Sequence, residues 1–384
     1  MSVKELGSIA IGVGCLPFVV LDESGSHDRT FAKLVSEKWW KDKLESGLGL
    51  LPSITDLAVE IPDTSGRMPN ATDILHQYLD EYDIDYDFGP GAYSFIGFTV
   101  TIPRRMQPEL VGRIRVNSEH FQVFTFYGHS GPVTFIRSND QADPSPSAYV
   151  VLVREFLIHE LARVKAPIAV KTIGPSPFWG DFTLAPSKEI MTDLAVKWSK
   201  SAHGYDEIAF AYSQENIDSN AAYGALVRAL SEPFSAYYFQ VRARHKRYER
   251  ANVVAQLTDE LMAVHARPGL RGWFARTFRS GALARELLLA AITAKQLDVE
   301  ERGRSNAALH EIESDTGSPR LDLPELDVLC KEEASSGFVD RLTMAQEVAS
   351  TLEHGRISQY EVLVVSASTI LGAAAGAIAA LIAG

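Results

Sequence analysis

Two runs, Phe95-Ile-Gly-Phe-Thr-Val-Thr101 and His120-Phe-Gln-Val-Phe-Thr-Phe126, decide how the first half of the chain folds. Both are rich in β-branched and aromatic residues, which fit a pleated, half-buried surface, and both read as strands. Between them Gly112-Arg-Ile-Arg-Val116 has a similar texture and is expected to form a further strand. Gly-Pro pairs at Gly89-Pro90, Gly131-Pro132 and Gly174-Pro175 each precede an aromatic, strand-like run, so they read as turns of a meander. Helices are expected over Thr30–Lys43, Ala71–Glu81 and Ser147–Lys165, the last opening after Asp143-Pro-Ser-Pro146. An α+β domain over residues 1–216 results.

Toward the N-terminus, Ser8 to Leu21 is apolar enough to raise the question of an export signal, with Cys15 after Gly14 in the place of a lipoprotein cysteine. The details go against both. Lys4 is cancelled by Glu5, few apolar residues precede Cys15, and Gly12 stands where a branched apolar residue is wanted. A buried strand over Ile9–Leu21, broken at Pro17 and followed by the turn Asp22-Glu-Ser-Gly25, accounts for the pattern. Only two cysteines occur, Cys15 and Cys330, far apart and beside no partner motif, so neither a disulfide framework nor a thiolate zinc site is expected. A reducing, cytosol-facing body fits.

Beyond Asn216 prolines become rare and apolar residues recur at three- and four-residue intervals, which is helical texture. Asp218 or Ser219 can cap a helix running through Leu226, Tyr237 and Tyr248 toward Val264, until Arg267-Pro-Gly269 breaks it. A second helix is expected over Ser280–Arg302. Residues 217–310 thus form a basic helical region, with 14 Lys or Arg against 9 Asp or Glu, while residues 311–384 carry 4 against 12. The two sections can attract each other. Within the second, Asp315 to Pro324 reads as a linker, and a final helix through Met344, Val348 and Leu352 leads on, so residues 311–361 form an acidic linker and juxtamembrane helix. At a net charge of −12 the whole chain is a poor match for nucleic acid.

The 23 residues Val362–Gly384 carry no charge, and at about 1.5 Å rise per residue a helix of that length crosses a hydrocarbon core of about 30 Å. With nothing polar after Gly384, the expected arrangement is a tail anchor: an α+β N-terminal domain, a helical region and a single C-terminal transmembrane helix. Along that helix Ser368, Gly372, Gly376, Ala380 and Gly384 recur every four residues. Such a stripe of small side chains lets two backbones approach closely in lipid, where packing drives association, so a homo-oligomer is expected. Arg341 and Arg356 before the span place the body on the cytosolic side.

Chemistry-bearing residues are sparse. The cluster Arg242, Arg244, Lys246, Arg247 and Arg250, continued by Arg267, Arg271, Arg276 and Arg279 around Trp273 and Phe274, offers contact with anionic lipid, with nucleic acid or a nucleotide effector, or a solvated face paired with the acidic section. The loop Thr172–Phe182 combines two rigidifying prolines with Phe178, Trp179 and Asp181 and offers a ligand or partner surface. Asp83, Asp85 and Asp87 alternate with apolar residues as a strand with one acidic face. The glycine falls late for a calcium loop, and Ser94 stands where its glutamate belongs. His159-Glu-Leu-Ala-Arg163 approaches the zinc-protease pattern, but arginine replaces the second ligand. Glu160 and Arg163 instead make an exposed i,i+3 pair on a helix whose apolar face is Val153, Phe156, Leu157 and Leu161. No metal and no cofactor is expected; no nucleophile elbow, P-loop or dinucleotide fingerprint occurs.

The function expected from this organisation is that of a membrane protein whose cytosolic domain senses a small-molecule signal or protein partner and acts through its C-terminal span. In its sharper form the protein is a membrane-disrupting effector of the bacterial-defence kind. The order of α/β domain, helices and membrane-entering stalk resembles that of CorA-type magnesium channels. The resemblance covers order alone, because those channels have a second span and a Gly-Met-Asn signature that this chain lacks. A membrane-tethered enzyme with its site around Asp181 is the remaining alternative, and an enzyme is less expected because no catalytic set can be assembled.

Overall fold

The computed structural model describes residues 8–21, 37–62, 93–138 except 113, 115 and 129, 145–188, 194–199 and 204–314, with positions 325, 328, 331, 332, 342, 343 and 345–351 beyond them. An α+β arrangement with an N-terminal sheet and a helical region is what it shows. The chain divides into two compact units, Met1–Arg242 with Ser305–Lys331 and Ala243–Arg304 with Glu332–Gly384. Sheet gives way to helix between Ser213 and Ser219, whereas the units divide within the helix that follows.

In the first unit the strands are β1 (Ile9–Gly14), β2 (Phe18–Val20), β3 (Ile54–Glu60), β4 (Ser94–Thr101), β5 (His120–Gly128), β6 (Gly131–Ser138), β7 (Ile168–Val170), β8 (Gly180–Ser187), β9 (Leu194–Ser199) and β10 (Asp206–Ser213). Eight of them form one sheet in the order β3-β4-β5-β6-β1-β8-β10-β9, and β2 pairs with β7 separately. Neighbours run antiparallel except β8 and β10, which are parallel with Phe182 opposite Ile208 and Leu184 opposite Phe210. The expected strand over Ile9–Leu21 is thus two strands with Pro17 at the break, and β1 sits inside the large sheet, buried on both faces. Cys15 lies in this core and its thiol donates to the Pro132 carbonyl at 3.0 Å.

Helices cover both faces because the side chains of each strand alternate between them. On one face α1 (Glu37–Gly49) and α3 (Ser147–Arg163) bring Trp40, Leu44, Tyr149 and Phe156 onto Ile96, Val100, Phe121 and Val123. The short α2 (Gln107–Val111) lies in the connection between β4 and β5. On the other face the start of α4 (Ser219–Ala266) lays Tyr223, Leu226, Leu230 and Phe234 on Phe135, Phe182, Ile208 and Phe210. Gly12 and Gly14 allow α3 to approach: a Cβ at Gly12 would lie 2.5 Å from the Pro146 carbonyl oxygen, and one at Gly14 would overlap Val150. The glycine pair therefore serves packing.

Several expectations are corrected. The described residues of Gly112–Val116 are not in a strand: Gly112, at φ 60, closes α2, and Ile114 and Val116 lie in irregular chain. Pro108 in the first turn and a terminal glycine are helix signals that the β-branched texture obscured. Helix α1 extends beyond Lys43 to Gly49, and of Thr30–Lys43 only the part from Glu37 lies within the described residues. Ala71–Glu81, the turn at Asp22, Gly89-Pro90, the triplet Asp83, Asp85 and Asp87, the linker Asp315–Pro324 and the span Val362–Gly384 lie outside the described residues.

The described residues of the second unit are helical, apart from the break at Arg267 and Pro268 and the turn at Arg279. They comprise the later part of α4, then α5 (Gly269–Phe278), much of α6 (Ser280–Ser314) and positions 332, 342, 343 and 345–351. Val254, Leu261, Leu283, Leu287, Leu342, Ala345 and Ala349 form its core. Asp218 caps α4, its carboxylate accepting from the backbone N–H of Asn220 at 2.8 Å and Ala221 at 2.9 Å. Pro268 and Gly269, at φ 75, end the helix where the sequence breaks.

Candidate functional site

In the first unit, the loop before β8 carries the sequence's recognition candidates, and the structure gives the three of them different surroundings. Phe178 turns inward onto α4, its ring 4.9 Å from Tyr237 and 6.2 Å from Phe234. Trp179 turns outward, 60% exposed, and meets Tyr205 edge-on at 6.0 Å. Asp181 is used for structure: its carboxylate accepts the backbone N–H of Ser147 at 3.0 Å, at the first turn of α3. A carboxylate there satisfies an orphan donor and complements the helix dipole. No side chain of α3's own N-cap, Pro146, does so.

Backbone strain marks the same loop. Phe178 at φ 54 and Trp179 at φ 53 are consecutive aromatic residues in the left-handed region, which costs about 1–2 kcal/mol per residue for a side chain with a Cβ. The loop holds this shape by a hydrogen bond from the buried Ser176 hydroxyl to the Gly180 carbonyl at 2.6 Å, and by one from Tyr238 to the Pro175 carbonyl at 3.0 Å. Gly180 also permits close packing, since a Cβ there would come within 2.6 Å of Ile208. Burial, and next the Asp181 charge, raise the Tyr205 phenol above its ordinary pKa. Trp179 and Tyr205 thus make a neutral, aromatic edge on a rigid support.

In the second unit the basic residues separate into interior and surface groups. Arg247 is buried, and its guanidinium reaches Asp298 at 3.2 Å, while Arg302 meets the other Asp298 oxygen at 2.8 Å. Arg247 is therefore bound inside the unit and is not a lipid or anion contact. Arg276 donates to the carbonyls of His265 at 3.2 Å and Arg267 at 2.7 Å, closing the exposed end of α4. Burial, with the Arg276 charge second, lowers the pKa of His265. Arg244 and Arg271 are exposed; Lys246 and Arg250 are half-buried. Arg242 belongs to the first unit and lies over the Phe239 ring at 5.4 Å.

Helix α5 escaped the sequence reading because Pro268 and Gly269 concealed its start. Its i, i+4, i+8 row, Leu270, Phe274 and Phe278, was the available signal. These three residues are 79%, 54% and 70% exposed, and the Phe274 and Phe278 rings stack at 6.2 Å.

Elsewhere, Val153, Phe156, Leu157 and Leu161 are buried as expected, but the pair beside them is less open than expected. Glu160 is nearly buried, with Arg163 at 2.5 Å and His159 at 3.1 Å. The Arg163 hydrogen bonds hold the Glu160 carboxyl below the usual range against the opposing effect of burial. Burial pushes the Cys15 thiol up, so it is no thiolate nucleophile. Among the described residues no group of three or more His, Cys, Asp or Glu could hold a metal, and no helix is long and apolar enough to cross a membrane. Comparison of the chain with protein-family models, curated proteins and solved structures found no match.

Proposed function

We propose that this chain is an oligomer-forming membrane protein held in the bilayer by residues 362–384. Its α+β domain lies on the cytosolic side, where the edge at Trp179 and Tyr205 meets a small-molecule signal or protein partner. The protein acts through the span, and in the sharper form of the reading its assembly breaches the bilayer. The observation that carries the reading is the uncharged run Val362–Gly384 with Ser368, Gly372, Gly376, Ala380 and Gly384 in one row. The strained, outward-facing Trp179 supports the recognition part, because such strain clusters at ligand-binding positions.

The double change Gly372→Leu with Gly376→Leu tests the assembly step. It blocks close helix approach and keeps the segment apolar, so membrane anchoring is expected to persist while the detergent-extracted particle becomes smaller. In cells that overproduce the protein, growth arrest and dye uptake should disappear with it. A particle of unchanged size would remove the stripe from the account.

A further inference from the structure

We infer that α5 is an interfacial helix, which lays Leu270, Phe274 and Phe278 into an anionic lipid surface. Its amphipathicity is inverted with respect to its own unit: small residues face inward and large apolar ones face out. Gly272 is buried and Ala275 packs against the core of the unit, while Leu270, Phe274 and Phe278 form the opposite, exposed row. A Cβ at Gly272 would overlap the Arg267 carbonyl oxygen, so this face is fitted closely to the corner it covers. Trp273 flanks the row, its ring edge-on to Phe274 at 5.0 Å, and tryptophan suits the boundary between headgroups and acyl chains.

Charge selects the occupant. From Leu261 to Arg285 the sequence holds Arg267, Arg271, Arg276, Arg279 and Arg285 and no carboxylate. Of these, Arg276 is spent on backbone carbonyls, Arg279 pairs with Glu260 at 3.8 Å and Arg285 lies on α6, which leaves Arg267 and Arg271, both exposed, beside the apolar row. Exposed aromatic and aliphatic side chains flanked by arginines match a bilayer surface carrying anionic headgroups, where each basic residue strengthens binding about fivefold. The contact lies along the surface and is additional to the proposed span.

Replacing Phe274 by benzoylphenylalanine in the full chain, and illuminating it with vesicles of phosphatidylcholine with or without phosphatidylglycerol, reads the occupant directly by mass spectrometry. A lipid adduct is expected, at least about fivefold more abundant with phosphatidylglycerol. It should fall by about that factor with Arg267→Glu or Arg271→Glu alone, and further with both, and it should fall also with Leu270→Ser and Phe278→Ser. An adduct to a second chain, or none while the chain stays on carbonate-washed vesicles, would overturn the inference and leave the span standing. A lipid adduct on a chain that carbonate removes would uphold α5 and count against the span.

Discussion

At Asp181 and Trp179, two positions apart, a structural role and the proposed recognition role fall on different side chains. Asp181 supplies the acceptor for Ser147 at the start of α3, so Asp181→Ala should destabilise the protein by about 1 kcal/mol, read as a lower denaturant midpoint. Trp179 makes the opposite case. Because it sits at φ 53, where glycine bears no Cβ penalty, Trp179→Gly should leave the stability unchanged or raise it by up to about 1 kcal/mol, read as the same or a higher midpoint. Loss of partner or ligand response in that variant, with stability retained, is the outcome that assigns Trp179 to recognition; a clear loss of stability would make it a packing residue. Glu160 gives a pH signature. Its folded pKa is lowered, chiefly by the Arg163 hydrogen bonds, so its contribution is present above the ordinary carboxylate range and is lost as pH falls through the lowered value. Glu160→Gln should therefore unfold at a lower temperature than the parent at pH 7, and the two melting curves should converge in strong acid.

Among the elements, the ion cluster of the helical unit carries the largest expected effect. Asp298 joins Arg247 on α4 to Arg302 on α6, and removing one member of a buried pair typically costs about 3–5 kcal/mol. Asp298→Asn should produce a loss of that order, seen as early loss of helical signal on thermal unfolding. A change within about 0.5 kcal/mol would show that water already screens the pair. The same elements show what local sequence can convey. β4, β5, α3 and the capped start of α4 were legible because composition, turn residues and caps agreed, as at Asp143-Pro-Ser-Pro146 and Asp218. Gly112–Val116 misled because β-branched residues can serve a helix end as well as a strand, and only Gly112 at φ 60 separates the two. Sheet order was not legible: β1 lies between β6 and β8, more than a hundred residues away, and pairing over such separations leaves no local pattern. Nor could sequence show that Asp181 caps a helix 34 positions earlier, or that Arg247 turns inward while Arg244 faces out.

For the molecule as a whole, the proposed function requires both a recognition edge on the sheet domain and a membrane span after the helices. The chain is acidic overall, but Leu261 to Arg285 holds five arginines and no carboxylate, so attraction of that segment to an anionic membrane should weaken with salt while a buried span should not. Protease added outside intact cells should leave the body uncut, and cleavage there would reverse the proposed orientation. The most direct measurement compares membrane fractions of cells making the full chain with cells making a chain stopped at Tyr360, after washing in high salt and then carbonate. The account predicts that the full chain stays in the pellet and the shortened chain is released. Retention of the shortened chain through both washes, or release of the full one, would contradict it.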